Sequence, residues 1–225
     1  MSYRFEEYAD REMLFIDLAN RIAGELKDAL ERAERVVLAV PGGTTPGPVF
    51  DDLCCVDLDW ARVDVMLTDE RWVPEDHDRS NTRLLRERLL TGRAAEARLL
   101  PMFLPCQEPE DRLAELEEII SPELPLSVVV LGMGADMHTA SIFPGADRLE
   151  DALDKRAPIL MPMRAPGAPE PRITLTAPVL NGAMSKHILI VGAEKRAALE
   201  NAKGKPAKEA PINAVLDGAV VHWAE

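Results

Sequence analysis

Apolar positions along the chain fall into two alternating patterns. From about Asp10 to Ala33, Leu14, Leu18, Ile22, Leu26 and Leu30 recur at helical spacing among charged residues, which predicts an amphipathic helix. The run RVVLAV (35–40) follows, short and rich in β-branched residues, with Pro-Gly-Gly behind it. It predicts a buried strand. A helical turn from about Gly47 to Leu53 leads to a second strand, RVDVML (62–67), ending at Thr68-Asp69-Glu70-Arg71. Helices are predicted from about Asn81 to Leu90, capped by Ser80, and from about Pro109 to Ile120. LSVVVLG (126–132) is the clearest buried strand. The proline-rich stretch 157–171 is predicted to be an irregular surface crossing. RITLT (172–176), a helix near Ala177–Ala183, KHILIVG (186–192), a helix from about Glu194 and VVHWA (220–224) complete the series. Strands alternating with helices predict an α/β fold: a doubly wound, mostly parallel sheet with helices on both faces.

Composition narrows the function. A chain of 225 residues with 47% hydrophobic content can bury a full core, and no apolar stretch approaches the ~18 residues of a membrane span. The start, MSYRFEEYADREML, lacks the features of a secretory signal, so a cytoplasmic location is expected. A net charge of −13 argues against nucleic acid or an anionic membrane as partner. Cys54 and Cys55 are adjacent, Cys106 stands apart, and His77, His138, His187 and His222 are scattered. Neither a disulfide framework nor a metal site is expected.

Three polar segments follow three apolar strands, and in an open parallel sheet those strand ends share one edge. PGGTTPG (41–47) sets two glycines and two hydroxyls before a helix, suited to cradling a phosphate or to forming an ordinary tight turn. In TDERWVPEDHDRSN (68–81), Asp69 and Arg71 can orient a base and neutralise an anion, whereas Glu75, Asp76 and Asp78 read as a solvated loop and Trp72 as packing. GMGADMHTASIFPG (132–145) carries Asp136, then His138, a general base whose tautomer a nearby carboxylate can fix. The dinucleotide-binding fingerprint fails there, because Met137 occupies the third glycine position. No GxSxG surrounds Ser141, so water and not serine is expected to attack. Lys195 follows KHILIVG at the same edge, a phosphate partner or a surface charge. Arg172 opens its strand, so it reaches this edge only if that strand runs the other way or lies in a side subdomain.

Together these segments resemble the 6-phosphogluconolactonase family: PGGTTP at 41–46, DERWVP at 69–74 with Ser80-Asn81, GMGADMHTASIFPG at 132–145, RITLT at 172–176 and GAEK at 192–195. The resemblance covers nearly the whole chain, read as one domain over residues 1–225. It implies hydrolysis of 6-phosphoglucono-δ-lactone to 6-phosphogluconate without metal or cofactor. Separately, a monomer or weak homodimer is expected. It implies that His138 activates water, that Asp69 helps set its state and that Arg71 stabilises charge. Gly42, Gly43, Thr44, Arg172 and Lys195 would hold the substrate. Two positions depart from the family pattern: Pro41 stands where Ser is usual, and Met137 replaces the glycine before the histidine. If that position needs positive φ, Met137 is strained; if not, it narrows the pocket. Two other readings stay open: a glucosamine-6-phosphate deaminase or isomerase, whose His-Ile-Ala-Phe-Asn-Glu-Pro differs from residues 138–144 here, and a non-catalytic sugar-phosphate sensor.

Overall fold

The computed structural model describes residues 2–166 and 168–225; Gly167, inside the proline-rich stretch, lies outside the described residues, as does Met1. Seven strands form a wholly parallel sheet: β1 (Arg4–Glu7), β2 (Val36–Val40), β3 (Val63–Leu67), β5 (Arg98–Leu99), β6 (Val128–Gly132), β9 (Ser185–Val191) and β10 (Val220–Ala224). Their order across the sheet is β1-β10-β9-β6-β2-β3-β5. β2 and β3 are buried along their whole length, which is why they read as unbroken apolar runs. The helices are α1 (Arg11–Leu30), α2 (Gly47–Leu53), α3 (Asn81–Arg88), α4 (Leu113–Ile120), α5 (Leu149–Leu153), α6 (Ala177–Asn181) and α7 (Ala193–Ala202).

Local chemistry sets the helix ends. The Asp10 side chain accepts from the Met13 N–H at 2.8 Å and starts α1, whose Leu14, Leu18, Ile22, Leu26 and Leu30 are all buried. Ser80 caps α3 as expected, accepting from the Arg83 N–H at 3.3 Å. The segment expected as one helix from Pro109 divides into a 3-10 turn, Pro109–Arg112, and α4.

Strand order locates the site. After β2 the chain moves through β3 to β5; from β6 it moves the other way, through β9 to β10. β2 and β6 are neighbours, so the loops leaving them diverge and open a crevice at this switch point.

Beside this sheet stands a second one, β4-β8-β7, with both pairings antiparallel: β4 (Asp69–Arg71), β8 (Arg172–Leu175) and β7 (Leu160–Met163). The proline-rich stretch is thus not wholly irregular. It contains the buried strand β7, whose Pro162 is tolerated because β7 is an edge strand. Likewise Asp69–Arg71 is a strand of its own and not the tail of β3.

Two buried histidines join β9, β10 and α1. His187 Nδ1 and His222 Nε2 lie 3.0 Å apart; His187 Nε2 meets Glu25 at 2.8 Å and His222 Nδ1 meets the Tyr8 hydroxyl at 2.8 Å. Glu6, Asp17 and Arg21 surround that hydroxyl, and Arg4 adds charge nearby. Burial, reinforced by His187, pushes His222 down to about 3. Above the ordinary value of ~6.5 both folded and unfolded chains leave it neutral; below, only the unfolded chain takes the proton. Stability should therefore fall as pH drops from about 6.5 towards 3, by up to ~1.4 kcal/mol per pH unit from this group. Urea denaturation at pH 7, 5.5 and 4.5 checks this, with His222→Gln expected to lose stability less steeply than wild type. Equal slopes would remove His222 as the cause.

Candidate active site

A cavity of about 400 Å3 opens at the switch point. All eight residues singled out from the sequence line it: Gly42, Gly43 and Thr44 from the loop after β2, Asp69 and Arg71 from β4, His138 from the loop after β6, Arg172 from β8, and Lys195 from α7. Arg172 reaches it because β8 runs antiparallel in the side sheet, one of the two arrangements its place in the sequence required.

The histidine loop is folded by short reciprocal bonds. Gly134 N–H donates to the His138 carbonyl at 2.9 Å, and Met137 N–H to the Gly134 carbonyl at 3.0 Å. Thr139 Oγ1 donates to the Gly132 carbonyl at 2.9 Å. Gly134 is sterically required: a Cβ there would sit 2.1 Å from His138 Nδ1. Met137 takes φ 67°, so of the two possibilities left by the sequence the strained one is realised, at a cost of about 1–2 kcal/mol. Its carbonyl accepts from the Ile212 N–H at 3.0 Å, which helps hold that conformation. Ala140 follows in the same region at φ 48°.

His138 Nδ1 lies 2.5 Å from Asp136 Oδ1. That hydrogen bond holds the Asp136 carboxyl below the ordinary range, so the carboxylate is ionised and accepts. In the neutral imidazole this contact puts the proton on Nδ1 and leaves the Nε2 lone pair available. The imidazole stacks on Phe143, with centroids 4.1 Å apart. Asp69 has different partners: its Oδ2 accepts from Ser141 Oγ at 2.5 Å and its Oδ1 from Thr68 Oγ1 at 3.3 Å. The carboxylate in contact with the imidazole is therefore Asp136 and not Asp69.

Arg71 and Arg172 are directly opposite one another in the β4–β8 pairing. Arg71 donates to the Arg79 carbonyl at 2.6 Å, while its Nε and that of Arg172 are buried without partners among the described residues. Burial lowers the pKa of Arg172, Asp69 opposes that shift, and Arg71 adds to it. The Lys195 ammonium has no hydrogen bond or ion pair among the described residues. Three cationic groups thus face one cavity in a chain of charge −13. Such a cavity suits an anion.

Glu70 was not singled out from the sequence, yet it supports this wall. It is fully buried and accepts from the N–H groups of Arg71, Asn81 and Thr82 and from the hydroxyls of Ser80 and Thr82. Asn81 in turn donates to the Asp69 carbonyl at 3.1 Å and lies against Gly42, where a Cβ would come within 2.0 Å of it. Burial raises the Glu70 carboxyl above its ordinary range in spite of these donors.

A histidine–carboxylate pair in a cavity lined by three cationic side chains, at the switch point of an α/β sheet, is an arrangement suited to enzymes of small anionic metabolites. A sequence profile for the family "Glucosamine-6-phosphate isomerases/6-phosphogluconolactonase" matches residues 9–223, and the chain belongs to that family. Within it, the chain groups with the 6-phosphogluconolactonases. It is 41% identical to the 6-phosphogluconolactonase of Mesorhizobium japonicum over 99% of this chain and 96% of that one. It is 40% identical to that of Rhizobium meliloti over the whole of both. Among solved structures, a 6-phosphogluconolactonase from Shewanella baltica superposes with a TM-score of 0.96 at 34% identity, covering 100% of this chain and 98% of that one. No helix among the described residues is long and apolar enough to cross a membrane.

Proposed function

We propose that the protein hydrolyses 6-phosphoglucono-δ-lactone to 6-phosphogluconate, with His138 as general base. The observation that carries this reading is the Asp136–His138 pair inside the cavity that Arg71, Arg172 and Lys195 also line. Asp136 holds the Nδ1–H, so Nε2 takes a proton from a water molecule as the water oxygen adds to the lactone carbonyl. The carbonyl electron pair moves onto its oxygen, where a cavity cation stabilises it. Collapse of the tetrahedral intermediate breaks the bond from the carbonyl carbon to the ring oxygen. The imidazolium returns its proton to that leaving oxygen. The product acid then loses a proton to solvent. The remaining cations and the amides of Gly42, Gly43 and Thr44 bind the phosphate. Ser141 is a poor nucleophile because it is fully buried and its hydroxyl is committed to Asp69.

A pH-stat assay with freshly prepared lactone tests this, with spontaneous opening subtracted. Acceleration proportional to enzyme concentration is expected. Absence of acceleration would overturn the assignment, and ammonia release from glucosamine 6-phosphate would redirect it to the isomerase side of the family.

A further inference from the structure

In the antiparallel β4–β8 pairing, Asp69 lies opposite Thr174 and Arg71 opposite Arg172. Alternation along a strand puts these four on one face of the small sheet and Glu70 on the other. Asp69 and Arg172 are then diagonal neighbours of opposite charge, within reach of a long side chain. A direct salt bridge is the arrangement such a pair favours. It is absent: Arg172 is 8% exposed, its guanidinium lies over the Phe143 ring at 5.5 Å but makes no side-chain hydrogen bond or ion pair among the described residues, and its Nε is buried and unpartnered. A buried donor left unpaired in the free protein is costly.

The reason lies in what Asp69 does instead. Both its oxygens are engaged by hydroxyls, Oδ2 by Ser141 at 2.5 Å and Oδ1 by Thr68 at 3.3 Å. The Ser141 hydroxyl is itself firmly delivered. Its backbone N–H donates to Thr174 Oγ1 at 3.2 Å, which donates to the Leu175 carbonyl at 3.0 Å, and Ala140 turns the chain just before it with φ 48°. Ser141 thus spans from the histidine loop of the large sheet to the small one.

We propose that Ser141 is a positioning residue whose hydroxyl holds Asp69 away from Arg172, keeping that buried guanidinium unpaired for an anionic group of the substrate. This rests on the reading of the cavity as a sugar-phosphate site. Without the hydroxyl, Oδ2 turns to Arg172 and the two neutralise each other. Anion binding then weakens although neither charged residue has been changed.

Calorimetric titration with 6-phosphogluconate and with inorganic phosphate tests this on wild type, Ser141→Ala, Asp69→Asn and the double variant. Ser141→Ala is expected to weaken 6-phosphogluconate binding by about tenfold or more, and to raise KM more than it lowers kcat. The double variant is expected to recover to within about threefold of wild type, because a neutral amide does not sequester a guanidinium. Recovery is the outcome that a purely structural role for Ser141 does not produce. Binding by Ser141→Ala within twofold of wild type, or no recovery in the double variant, overturns the proposal. Should Ser141→Ala fail to fold, Ser141→Cys decides, since a thiol of similar size is a weaker donor: weakened anion binding supports the proposal and binding within twofold of wild type overturns it. Binding needs no turnover. Wild type that binds 6-phosphogluconate without opening the lactone defeats the lactonase reading alone, whereas wild type that binds neither anion overturns this one as well.

Discussion

Replacing His138 with alanine is expected to lower kcat by about 10^2–10^4-fold while leaving the affinity for 6-phosphogluconate within a few-fold of wild type. The split follows from geometry. His138 meets Asp136 through Nδ1 and stacks on Phe143, while Arg71, Arg172, Lys195 and the glycine loop line the cavity independently of it. Removing the base therefore removes proton transfer and spares most of the anion contacts. Its side chain is partly exposed, so truncation should cost little stability. Stopped assays at several enzyme concentrations, corrected for spontaneous lactone opening, give kcat; calorimetry gives binding. A kcat within threefold of wild type would remove His138 from the chemistry.

The second large effect is structural. Glu70→Gln is expected to destabilise the protein by about 2–4 kcal/mol and to lower kcat/KM as well. Glu70 Oε1 accepts from two backbone N–H groups, and Oε2 from one N–H and two hydroxyls. A carboxylate can accept at both oxygens; an amide presents its own donors to one of these sets and leaves buried groups unpaired. The damage reaches the cavity because the same bonds place Arg71 at the end of β4 and Asn81 against Gly42. Urea denaturation monitored by Trp fluorescence reports the loss. An unchanged midpoint would show that the donors find other partners.

The positions that were legible in advance share a physical cause. β2, β3, β6 and β9 are flanked by strands on both sides and have largely buried cores, so burial selected continuous apolar runs with turn residues behind them. Strand ends at one sheet edge are enough to gather His138, Lys195 and the Gly42–Gly43 loop from sequence alone. β1 and β5 are not legible in the sequence because they are short edge strands with exposed or half-buried residues, which carry no periodicity.

Hydrophobic patterning and local turn chemistry thus determined, from the sequence alone, that a parallel α/β sheet forms and that its glycine-rich loops and His138 meet at one edge. Tertiary structure decided the rest, since it depends on pairings between residues far apart in the chain. The side sheet joins Asp69–Arg71 to Arg172–Leu175, about a hundred residues later, and only that pairing sets Arg172 beside Arg71. The partner of His138 and the backbone of Met137 also came from folding, but chiefly through contacts within one loop. Local loop closure brought Asp136, two residues away, onto the imidazole, and the same closure, tied to Ile212, held Met137 at φ 67°. Asp69, which the sequence places beside the chemistry, was claimed by Ser141 from across the fold. A hydrogen bond spanning 72 residues leaves no trace in spacing or periodicity, because nothing but the folded chain brings its ends together.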